Sequence, residues 1–112
     1  MNKAELEHLL LAYETDTRFP DVSGMEHLDM LLTRTKIEEH KSRLTPEQRE
    51  RLMTADQNLV QQSNQFYEAI RLVADLAAWR ESVDAPASYW WWWYLDVLAH
   101  AWPCLSSSKL PV

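Results

Sequence analysis

The sequence predicts an all-α domain: a bundle of three or four helices, built on a long antiparallel helical hairpin and closed by a tryptophan-rich C-terminal helix. Three observations carry this. One glycine stands among 112 residues, which deprives a sheet protein of its usual turn residue. Isoleucine occurs only at Ile37 and Ile70, while leucine and alanine dominate the aliphatic set, so β-branched material is scarce. Apolar residues recur at helical spacing in segments that open on capping patterns.

The first helix spans residues 3–14. Leu6, Leu9, Leu10 and Tyr13 share one face, Asn2 caps the start and Glu5 takes the third helical position. Pro20 breaks the connector of residues 15–23. Ser23-Gly-Met-Glu26 is a capping box, and a second helix follows to about residue 42. Its main stripe is Met25, Leu28, Leu31, Leu32 and Thr35, with Met30, Ile37 and Leu44 roughly opposite. Two apolar faces imply contact on more than one side, from the first helix, the last helix or a second chain.

Thr45-Pro-Glu-Gln48 is the clearest local signal. Threonine accepts from orphan amides, proline sits where its missing N–H costs nothing, and glutamine reaches back. A long helix is expected from Pro46 toward Arg80. Leu52, Leu59, Phe66 and Val73 repeat every seven residues, with Met53, Val60, Tyr67 and Ala74 beside them, a bundle seam. The polar run Gln61–Gln65 predicts a bend. The short turn between the second and third helices makes residues 24–80 an antiparallel hairpin. Residues 81–88 read as a linker with helix-starting chemistry at Asp84 or Ser88. The expected domain is 1–102, and residues 103–112 lack periodicity and are expected to form a loose tail.

The last helix, over residues 86–102, carries Tyr89-Trp-Trp-Trp-Trp-Tyr94. At ~100° per residue, Trp90, Trp91, Tyr94, Leu95, Val97, Leu98, Ala101 and Trp102 face the core. Tyr89, Trp92, Trp93, Asp96 and His100 take the other side. A strand is the alternative, but no second strand is found to pair with it. An indole offers on the order of 200 Å², and leaving it in water forgoes a few kcal/mol of burial. Something is therefore expected to cover Trp92 and Trp93, with Asp96 and His100 pairing across one helical turn.

Composition narrows the function classes. The chain is one domain by length, 46% apolar and 25% charged. A net charge of −6 argues against a nucleic-acid partner. Residues 30–51 hold six bases against four acids, read as a solvated, salt-laced face. A single cysteine, Cys104, permits no intrachain disulfide and fits a reducing, cytoplasmic setting. No leader pattern opens the chain, and no apolar stretch reaches the ~18 residues that span a bilayer.

Catalytic and metal signatures are weak. Glu5-Leu-Glu-His8 has the Glu-x-x-His spacing of di-iron bundles, but a second copy is missing. His27 and His40 follow glutamates at positions that read as solvated surface. Nothing activates Cys104. One glycine leaves no phosphate loop. No catalytic residue, metal site or cofactor is assigned, and the chain is not expected to be an enzyme.

Residues 33–56, T-R-T-K-I-E-E-H-K-S-R-L-T-P-E-Q-R-E-R-L-M-T-A-D, followed by W-W-W-W-Y-L-D, resemble small uncharacterised helical proteins of bacteria such as cyanobacteria. The resemblance covers under half the chain and implies no activity or site residue. The expected role is a non-enzymatic protein-interaction module or small regulatory subunit, docking a protein partner or a second copy through Tyr89, Trp92, Trp93, Asp96 and His100. The alternatives are a flat hydrophobic ligand or pigment stacked on the run, and peripheral membrane contact.

Overall fold

A computed structural model describes residues 2–19 and 21–98, and they form an all-α bundle without strands. Helix α1 spans Lys3–Arg18, α2 Gly24–Glu39, α3 Pro46–Gln61, α4 Ser63–Arg71, α5 Leu76–Ser82 and α6 Trp90–Trp93. A 3₁₀ turn, Lys41–Arg43, joins α2 to α3, and α6 widens into a π-helical segment, Tyr94–Leu98.

The predicted caps are in place. Asn2 accepts from the Glu5 N–H, and both capping boxes, Ser23 with Glu26 and Thr45 with Gln48, are closed in both directions. These bonds satisfy amides that the first helical turn leaves without partners.

Side-chain pairs fix the directions of the helices. Arg34 of α2 meets Asp56 of α3, each eleven residues from Thr45, so the hairpin is antiparallel. Glu7 meets Arg51, Tyr13 meets Asp56, and Gln62 reaches the Thr17 carbonyl. Ascending numbers on both sides make α1 parallel to α3. Helix α1 packs on α2 and α3, α2 also packs on α4 and α6, and the π segment packs on α4.

Helix α2 is thus central, as its two apolar faces predict. Leu28, Met30, Leu31 and Ile37 are all buried. Met25, placed in its core stripe by periodicity, is 47% exposed, whereas its neighbour Gly24 and His27 in the same turn are buried. Gly24 sits against α4: a Cβ there would lie 2.7 Å from the Ala69 carbonyl carbon and 2.8 Å from the Ile70 Cα. Only glycine allows that approach.

The long third helix is divided twice. The first break, at Gln62, falls inside the polar run where a bend is predicted. The second corrects the expectation of a helix reaching Arg80. Helix α4 ends at Arg71, and Asp75 caps α5 by accepting from the N–H groups of Ala77 and Ala78. Leu52, Leu59 and Phe66 are buried along the seam, while Val73, past the end of α4, is exposed.

Candidate docking site

The tryptophan run is built on α2. Thr35 presents one hydroxyl, which donates to the Leu31 carbonyl at 2.9 Å. It accepts from Trp91 Nε1 at 3.0 Å and from Trp92 Nε1 at 2.9 Å. One donor and two lone pairs are all a threonine hydroxyl has, so Thr35 is fully used. Two adjacent indoles can therefore be sealed in the core without an unpaired N–H, which would otherwise cost about 1–3 kcal/mol each.

Trp91 is further enclosed by Arg34, whose guanidinium carbon lies 4.2 Å from the ring centroid, and by Tyr89, stacked at 4.8 Å. Arg34 makes a bidentate pair with Asp56 at 2.9 and 3.1 Å and reaches Glu38 at 2.9 Å. Tyr13 donates to the same Asp56 at 2.6 Å. Burial alone would discourage the charge on Arg34, but the bonds from Asp56 and Glu38 outweigh it and hold the guanidinium above its ordinary basicity. Burial, then the Asp56 carboxylate, pushes the Tyr13 phenol well up. Reading residues 30–51 as a solvated basic face fails at Arg34, which is buried.

The placement of the predicted site residues is mixed. Trp92 is 0% exposed, which corrects its assignment to the outward side. Trp93 and Tyr89 are half-buried, as is Trp90. The inward side is set by α2, where Thr35 accepts from Trp91 and Trp92 together, so the buried arc runs through these two rings instead of through Trp90 and Trp91. The π segment then alters the spacing beyond Trp93. Asp96 pairs with Arg80 at 2.8 Å; its expected partner His100 lies outside the described residues, as do Trp102 and Cys104.

Trp93 looks toward α5. Its indole N–H donates to the Pro86 carbonyl at 3.1 Å, and the Arg80 guanidinium lies 4.2 Å from its ring centroid. Arg80 also donates to the Trp92 carbonyl at 2.9 Å. Trp93 and Arg80, with Ala77, Glu81, Asp84 and Ala85, line an open cleft of about 390 Å³. Arg80 is the residue that sequence reasoning missed. Its only signal is the sixteen-residue separation from Asp96, which implies nothing without the fold.

The Glu5–His8 pair borders another open cleft, of about 430 Å³, with Asn2 and Lys36. Among the described residues, no group of three or more His, Cys, Asp or Glu is placed to hold a metal ion, and no helix is long and apolar enough to cross a membrane.

No protein-family model, curated protein or solved structure gives a significant match to the chain.

Proposed function

We propose that the protein is a non-enzymatic interaction module or small regulatory subunit that docks a protein partner through the outer rim of its tryptophan run. The rim is Trp93, with Tyr89 and Trp90. One observation carries the reading: Trp91 and Trp92 are locked on Thr35, whereas Trp93 stays half-buried as the wall of an open cleft. Tryptophan is among the side chains most enriched at binding hot spots. Trp92, first assigned as an anchor, becomes the foundation that holds Trp93 in place.

A flat ligand stacked within the run has less support, because Arg34 and Tyr89 already occupy Trp91. The test is affinity purification from the native cell with the wild type and with Trp93→Ala, both checked for native helicity and thermal midpoint. The expected result is a stoichiometric partner lost only from the variant. Equal recovery by both proteins counts against the rim.

A further inference from the structure

We propose that the cleft between α5 and α6 receives a lysine or arginine side chain of a partner polypeptide, an inference that deepens the docking reading and rests on it. The walls suit a cation. Trp93 supplies an aromatic ring, which attracts cations through its quadrupole and on which the Arg80 guanidinium already sits 4.2 Å from the centroid. Glu81 and Asp84 are exposed at the rim, and neither has a cationic partner among the described residues. Arg80 does not spoil the field, since Asp96 balances it. One base against three acids, Asp96, Glu81 and Asp84, leaves an excess of two negative charges. Ala77 and Ala85 keep the floor free of bulk, and the volume exceeds what a single long basic side chain fills.

The end of α5 adds to this. The Asp84 N–H donates to the Glu81 carbonyl at 3.1 Å and the Ala85 N–H to the Arg80 carbonyl at 3.2 Å. These are the two bonds of a Schellman motif. The position between them, ordinarily glycine, is Asp84 at φ 54°. A carboxylate is thus held in the left-handed region, at the negative end of a helix dipole that favours cations. Among the described residues, no hydrogen bond or ion pair engages its side chain. The chain's net charge of −6 would also steer a basic segment toward it.

The probe is a hexalysine peptide, with a fully acetylated copy as the uncharged control. It is titrated into the intact protein while the Trp93 indole N–H resonance is followed. The expected result is saturable movement of that resonance with hexalysine and none with the acetylated peptide. Affinity should fall about tenfold in the double variant Glu81→Gln, Asp84→Asn, the loss of two exposed charge contacts. Asp84→Gly should weaken binding while raising the thermal midpoint, so loss of fold cannot account for the loss of affinity.

A control variant, Glu47→Gln with Glu50→Gln, removes two exposed acids from α3. If it weakens hexalysine as much as the cleft variant does, attraction is only the general field and the proposal falls. It falls too if hexalysine leaves the Trp93 resonance unmoved. The docking reading is judged separately: a partner lost with Trp93→Ala but kept with the Glu81, Asp84 double variant preserves docking and removes the cationic side chain.

Discussion

Two arginine–tryptophan stacks in this molecule have the same geometry and different surroundings. Arg34 lies over Trp91 and Arg80 over Trp93, each 4.2 Å from the ring centroid, and each guanidinium is bonded to an aspartate. The first stack is sealed among α1, α2, α3 and α6, with Arg34 bound twice by Asp56 and once by Glu38. The second stands at the edge, where α5 leaves a cleft over Trp93. A stack enclosed on every side holds helices together, whereas an open one presents its ring. Residue type does not decide the role; how many elements close over the pair does.

The largest expected difference comes from breaking each stack at its arginine. Arg34→Met leaves Asp56 without its bidentate partner inside the bundle and should cost about 3–5 kcal/mol. Arg80→Met takes a single hydrogen bond from an Asp96 about as accessible as Asp56, 17% against 19%, and should cost about 1.5–3 kcal/mol. Urea denaturation of both variants measures this, and equal losses would erase the distinction between the stacks.

The sealed side has a second dependence, smaller than the first. Thr35→Val keeps shape but removes the acceptor shared by Trp91 and Trp92. A loss of about 2–4 kcal/mol follows from two indole N–H groups left unpaired, and Thr35→Ser should recover most of it. A Thr35→Val protein as stable as the wild type would mean that the two indoles are held by packing alone.

How far the sequence reveals these two regions depends on how local their causes are. Capping is local: Ser23 with Glu26 and Thr45 with Gln48 are written three residues apart and stand as read. The bend at Gln62 is local too, marked by its polar run. The second break is not, because Val73 and Ala74 continue the heptad, and only Asp75 hints that a new helix begins. The phase of the tryptophans is tertiary, because the side of α6 that faces inward is chosen by the Thr35 acceptor on α2, which no local pattern reveals. Arg34 looks solvated in a basic stretch because its neutralising Asp56 arrives from the facing helix. The lone glycine reads as part of a capping box, while the close approach of Ala69 that requires it is tertiary.

The smallest expected effect concerns a carboxylate with no such cation across from it. Asp16, in the last turn of α1, is pushed up, by burial first and then by the nearby carboxylates of Glu26 and Asp29. The folded chain therefore holds the Asp16 proton more tightly than the unfolded chain does. Its contribution to stability falls as pH rises through the ordinary aspartate range and past the raised folded value. At neutral pH the full cost is present; below the ordinary value it is gone. Glu7 has the opposite sign, since its hydrogen bonds from Arg51 and Gln48 hold it low, so acid weakens the α1–α3 bridge while it relieves Asp16. Comparison with Asp16→Asn separates them, because Glu7 titrates identically in both proteins. The variant should be more stable by about 0.5 kcal/mol at neutral pH, the scale of a partly solvated charge contact, with the advantage shrinking in acid. An advantage that stayed constant with pH would trace the gain to helix propensity rather than to charge.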